Sequence, residues 1–97
     1  MEYNFIKNDE QKRFELNTEN QTAFTDFYFM AGKLCLTHTL VPEQLGGRGV
    51  GKKLVENILE FARENDMEIF PFCPFVSSYI KKNEQCMPIV AKGFKWR

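Results

Sequence analysis

The apolar residues of this chain change period at Pro42, and that switch sets what the chain can fold into. Before Pro42 they alternate in short runs, as in half-buried strands. Residues 5–7 and 13–17 flank a polar turn at 8–11, and residues 22–30 follow a second polar turn. The stretch 22–30 is rich in Thr and aromatics, which suit a pleated surface. Gly32 turns the chain into residues 33–41, where an unbroken strand puts Leu34, Leu36, His38 and Leu40 on one face and Cys35, Thr37, Thr39 and Val41 on the other. This half reads as an antiparallel meander. After Pro42, Leu54, Val55, Ile58, Leu59, Phe61 and Ala62 form one helical stripe over 51–64, with Lys52, Lys53, Glu56, Glu60 and Arg63 facing solvent. Residues 67–73 read as a short strand interrupted by Pro71, and Pro74 suits the first position of a second helix. In that helix Phe75, Val76, Tyr79 and Ile80 are expected inward, with Ser77, Ser78, Lys81 and Lys82 outward. Residues 87–97 are expected to add a strand. A strand, a crossover helix and a second strand make a parallel, right-handed unit. The expected class is α+β, with a mixed sheet that is antiparallel early and parallel late.

Ninety-seven residues without a repeat or a flexible linker predict a single domain over 1–97. Ten phenylalanines supply the bulk that so small a core needs. Thirteen Lys and Arg balance thirteen Asp and Glu, which argues against a general nucleic-acid or membrane-surface binder. No apolar run approaches the roughly 20 residues of a membrane helix, and the N-terminus lacks the pattern of a secretory signal. Three cysteines without metal-type or redox-type spacing point to reduced thiols and a cytoplasmic location.

Four of the six glycines lie between Leu45 and Lys53, between the last meander strand and the long helix. Such a turn lets successive backbone N–H groups converge on one anion, and the helix that follows adds free N–H groups and its dipole. Gly46, Gly47, Arg48, Gly49, Val50, Gly51 and Lys52 therefore form a candidate phosphate cradle, against the plainer reading of a loop that needed flexibility. Residues 46–52 fit G-x-x-x-x-G-K, but Lys53 stands where a P-loop needs Ser or Thr for magnesium. The glycine spacing also fails the dinucleotide fingerprint.

Val41-Pro42, running through Arg48-Gly49-Val50-Gly51 into Leu54-Val55, resembles the acetyl-CoA loop of the GNAT N-acetyltransferase superfamily. Thr37-His38-Thr39, Phe61-Ala62-Arg63, Pro71-Phe72-Cys73-Pro74-Phe75-Val76 and Tyr79-Ile80 are similar to a short subfamily in which the helices before the central strands are trimmed away. The resemblance implies a GNAT-like fold with a splayed parallel pair at 33–41 and 67–73. It also implies acetyl-CoA as cosubstrate, with no metal. The pantetheine arm would bond backbone near Thr39, Leu40 and Val41, and the pyrophosphate would sit on 46–52. The loop's usual leading Arg or Gln falls at Gly46, and the subfamily's acidic residue falls at Leu40.

Three side chains are candidates for the chemistry. The resemblance gives Tyr79 the protonation of the departing CoA sulfur, beside a plain packing role against Phe75. His38 is either a general base, since imidazole ionises near neutral pH, or a hydrogen-bonded core histidine. Cys73, expected as the N-cap of the second helix, is either an activated thiol facing unpaired N–H groups or a small buried hydrophobe. The expected activity is acetyl transfer to a small or protein amine, directly or through an acetyl-cysteine. The alternatives are a CoA carrier or sensor without turnover, and a nucleotide or RNA phosphate binder using the glycine loop with Lys92, Lys95, Arg97 and Trp96. The chain is expected to be a monomer or a weak homodimer.

Overall fold

Alternation in the first strands is what gives the sheet one apolar face. The computed structural model describes residues 3–18 and 20–96. Strands β1 (Asn4–Asn8), β2 (Arg13–Asn17), β3 (Thr22–Met30) and β4 (Lys33–Leu40) form the antiparallel meander, and β5 (Ile69–Pro71) adds in parallel to β4. The sheet order is therefore β1-β2-β3-β4-β5, as the period switch implies. Phe14 and Leu16 on β2, Ala23 and Phe27 on β3, Leu34 and Leu36 on β4, and Ile69 on β5 are buried side by side on one face.

Helix α1 (Val50–Glu64) covers that face with Val50, Leu54, Val55, Ile58, Leu59 and Ala62, all buried. Each of these Val, Leu and Ile side chains stabilises the fold by about 1.5–3 kcal/mol, and Ala62 by less. Helix α2 (Pro74–Lys82) lies on the same side and buries Val76 and Ile80 in the same core. Among the described residues no helix covers the opposite face.

Three expectations change in the structure. Residue pairing between β3 and β4 slips at a bulge: Phe27 faces Leu36, whereas Asp26 faces His38, leaving Thr37 without an opposite number. One extra residue inverts the alternation beyond it. Leu34 and Leu36 thus point into the core, while His38 and Leu40 turn to the bare face and Thr39 turns inward opposite Thr25. His38 is exposed, so the core-histidine reading fails. Second, Phe75 is 43% exposed instead of inward. Its ring lies over Gly51, where a methyl group would overlap it. Third, the C-terminal segment is no full strand. Residues Glu84–Ile89 form a 3-10 turn and only Val90 bridges Ile69, with Arg97 outside the described residues.

Glu15 is the one acidic side chain buried among the described residues, on the bare face. Burial pushes its carboxyl up, but hydrogen bonds from Arg13 Nε (2.6 Å), Asn8 Nδ2 (3.1 Å) and Asn17 Nδ2 (3.5 Å) outweigh that and hold it below its usual value of 4.5. Arg13 also lies over the Phe24 ring, 4.4 Å from its centroid.

Two outcomes follow from these contacts. Gly51→Ala gives no net gain in the native chain, because the helix preference of Ala is offset by displacing Phe75. In a Phe75→Ala background the same change raises stability by about 1 kcal/mol, read from urea unfolding of all four proteins. An equal gain in both backgrounds would show that ring and helix do not meet. For Glu15, a folded value below 4.5 means its stabilisation is present above about pH 4.5 and is lost as pH falls through the folded value. Glu15→Gln should therefore cost about 1–2 kcal/mol at neutral pH and progressively less in acid, in thermal melts across that range.

Candidate active site

The chain leaves β4 at Leu40, passes Val41 and Pro42, and makes a 3-10 turn at Glu43–Leu45 anchored by buried Leu45. Gly47 and Gly49 then adopt φ of +79° and +72°, the left-handed region that favours glycine. Gly49 is the N-cap of α1. Gly46, at φ −62°, has an ordinary backbone conformation, and Gly51 is required by the Phe75 ring rather than by the turn. The four glycines thus have different reasons, only two of them conformational.

Around the turn, Gly46, Gly47, Arg48, Gly49 and Lys52 are exposed, whereas Val50 is buried and offers only its backbone. The first turn of α1 carries no acidic side chain, so its free N–H groups and the charges of Arg48 and Lys52 act with one sign. That suits a phosphate. Donor chemistry of this kind fits the pyrophosphate of CoA, with glycines that keep side chains out of the backbone's way.

Beside the turn, β4 and β5 part company. They pair at Leu34–Ile69, Cys35–Phe70 and Leu36–Pro71, and Cys73 N–H still donates to Leu36 C=O (2.9 Å). Beyond that point the β5 side turns into α2 while β4 runs on through Thr39 and Leu40. Residues Thr37–Leu40 have no described strand pairing on the β5 side, which opens a split bordered by Thr39, Leu40 and Val41.

Cys73 closes the narrow end of the split and is 2% exposed. It is the N-cap of α2, as expected, yet its sulfur makes no capping bond to the helix. Instead Sγ donates to Thr39 Oγ1 (3.1 Å), which in turn shares a 2.8 Å hydrogen bond with Thr25 Oγ1. The expectation that helix N–H groups hold this sulfur is corrected: a hydroxyl pair does. Thr25 escaped the sequence reading because the bulge hides its register with Thr39.

Tyr79 lies two turns along the same helix. Its hydroxyl donates to Glu56 of α1 at 3.4 Å. Burial, then the Glu56 charge, pushes the phenol above its usual range, with Cys86 adding to the effect. The structure does not bring Tyr79 into contact with Cys73, and Glu56, read from sequence as a solvated helix position, is its partner. His38 sits on the bare face, its ring 6.3 Å from that of Phe24, on the opposite side of β4 from Thr39 and Cys73. Cys35 and Cys86 are buried free thiols. Among the described residues no group of His, Cys, Asp and Glu has the arrangement of a metal site.

Comparison with known proteins agrees with this geometry. The sequence profile of the GCN5-related N-acetyl-transferases matches residues 13–89. Protein NATD1 of Mus musculus is 29% identical over 82 residues, covering 80% of this chain and 74% of the relative. Protein NATD1 of Homo sapiens is 38% identical over 48 residues, and that match covers 50% of this chain and 42% of the relative, less than half its length. A GCN5-like protein of Staphylococcus aureus, solved by NMR in solution, superposes with a TM-score of 0.71 at 28% identity, covering 91% of this chain and 87% of that one. With four-fifths of the chain inside the matched profile, and the splayed pair and glycine turn in place, the protein belongs to the GCN5-related N-acetyltransferase family.

Proposed function

We propose that this chain transfers an acetyl group from acetyl-CoA to an amine. The observation that carries the reading is the split itself: three paired residues between β4 and β5, then divergence beside a helix N-terminus built for phosphate. The loop from Gly46 to Lys52 takes the pyrophosphate, and the backbone from Thr39 to Val41 takes the pantetheine arm as an unpaired strand edge would.

The two faces of β4 then divide the work. Cys73 and Thr39 line the helix-covered side, where the thioester lies, and His38 stands on the bare side, from which an acceptor arrives. Transfer forms a bond from the amine nitrogen to the acetyl carbon while the bond from that carbon to sulfur breaks. His38, directly or through a water, takes the proton lost by nitrogen, and Tyr79 supplies the proton gained by sulfur. Burial and Glu56 keep Tyr79 in the protonated form that this role needs. Direct attack is favoured over an acetyl-cysteine, because the Cys73 thiol is spent on Thr39 and no helix N–H group supports its anion.

Acetyl-CoA should raise the melting temperature, by the equivalent of about 2.7 kcal/mol at one hundred times its dissociation constant. Arg48→Glu, at an exposed position, should lower that gain while leaving the unliganded melt in place. Stabilisation by ATP with magnesium in preference to acetyl-CoA would sink the assignment.

For the chemistry, His38→Ala should lower kcat by about 10²–10⁴-fold with acetyl-CoA binding retained. Cys73→Ala should cost about 1 kcal/mol of stability with only a modest loss of kcat. Mass spectrometry after incubation with acetyl-CoA alone should find Cys73 unmodified. An acetyl group trapped there would establish the covalent route instead, and binding without turnover for any amine would leave a CoA carrier.

A further inference from the structure

Thr25 and Thr39 stand opposite each other on β3 and β4, with their hydroxyl oxygens 2.8 Å apart. On distance alone either oxygen could be the donor. Burial decides the direction. Thr25 is fully buried, and Thr39 Oγ1 is the only hydrogen-bond partner of its hydroxyl among the described residues. If Thr39 donated, the Thr25 hydrogen would be stranded where water does not reach it, at the full cost of its lost solvation. If Thr25 donates, nothing is stranded.

A hydroxyl offers one hydrogen and two lone pairs. Thr39 Oγ1 then accepts from Thr25 on one lone pair and from the Cys73 thiol, 3.1 Å away, on the other. Its capacity as an acceptor is filled, and its own hydrogen has no acceptor among the described residues. Thr39 is only half-buried, where β4 and β5 part, so that hydrogen is left to the split. Two neighbours thus hold a neutral donor in one orientation before any ligand arrives. A carbonyl oxygen that becomes an oxyanion gains most from such a donor, because nothing has to reorganise as the charge develops.

We propose that the Thr39 hydroxyl donates to the carbonyl oxygen of the acetyl thioester and stabilises the oxyanion of the tetrahedral intermediate, with Thr25 positioning it. The inference rests on the acetyl-transfer reading. The amine nitrogen bonds to the acetyl carbon, and the π pair of the carbonyl moves onto oxygen, where the Thr39 hydrogen meets it. That pair returns to re-form the carbonyl as the carbon–sulfur bond breaks. Sulfur leaves with the bonding electrons and takes a proton from Tyr79, while the nitrogen gives its proton to His38. Thr39 stays neutral throughout. The two faces of β4 suit this order, since an amine arriving on the His38 side drives the oxygen away from itself, toward Thr39.

Hydroxylamine, small enough to need no acceptor pocket, serves as the amine in the test. Thr39→Val should lower kcat by about 10²–10³-fold with the KM for acetyl-CoA nearly unchanged. Thr39→Ser keeps the hydroxyl and should recover most of the loss. Valine at 39 alone strands the Thr25 hydroxyl, so the double variant Thr25→Val with Thr39→Val, apolar at both places and of the same shape, supplies a folded comparison that should be equally slow. Thr25→Val alone should cost about fivefold in kcat, the worth of one hydrogen bond. A kcat that rises or stays level there would mean that Thr39 spends its hydrogen on Thr25, and would overturn the proposal. The second readout needs no turnover. With acetyl-CoA isotopically labelled at the carbonyl carbon, infrared difference spectra should place the bound thioester band lower in the native chain and in Thr39→Ser than in the double variant. Turnover of hydroxylamine with one band position in all three would overturn the role of Thr39 and leave the transfer reading standing. A lowered band without any acetylation of hydroxylamine would overturn the transfer reading and leave the contact of Thr39 with the thioester in place.

Discussion

The apolar stripe of α1 packs on Phe14, Leu16, Ala23, Phe27, Leu34 and Leu36, and without that contact the five strands would have no buried face. A small chain has apolar area for one such layer and little more. α2 joins the same side, so the core is continuous from Phe14 on β2 to Ile80 on α2. The choice has a price on the other side of the sheet, where Ile6, Tyr28, Met30 and Leu40 stay more than a third exposed. Glu15, held by Arg13 and two asparagines, is the polar counterpart on that bare surface.

The bulge at Thr37 decides which side chains β4 turns to each face of this one-sided architecture. A regular β4 would send His38 into the helix-covered core and Thr39 to solvent. With one residue left over, Thr39 reaches Cys73 and Thr25 beneath the sheet while His38 faces the open surface. Beyond the bulge the two faces of this one strand thus present different side chains, a hydroxyl toward Cys73 and an imidazole toward the open surface.

How much of this was legible in the sequence depended on whether the cause was local. The α1 stripe, the strand–turn–helix order and the glycine turn between them are written in spacings of three or four residues and in glycine, and they appear in the structure as expected. The face of His38 depended on a pairing with β3 that no local pattern carries, so strict alternation misplaced it. Phe75 fitted the inward stripe of α2, yet its ring found room over Gly51 on another helix. Cys73 was correctly placed as an N-cap, but the partner of its sulfur came from β4, 34 residues away in sequence. The Glu56–Tyr79 contact likewise joins two helices whose relative turn only the packed core determines.

The parallel pairing of β4 with β5 also has a bearing on how the molecule assembles. The meander closes through neighbouring strands and tight turns, whereas the ion pair of Lys33 with Glu68, at the head of the parallel pair, spans 35 residues. Contacts of that separation need α1 in place first and carry the larger loop-closure entropy. β5 is then held by three paired residues and by a single bridge from Val90. The part of the chain that carries Cys73 is therefore joined to the sheet by fewer paired residues than any strand of the meander. A local opening that frees this short pairing would take the split apart while the longer ladders of the meander stay paired.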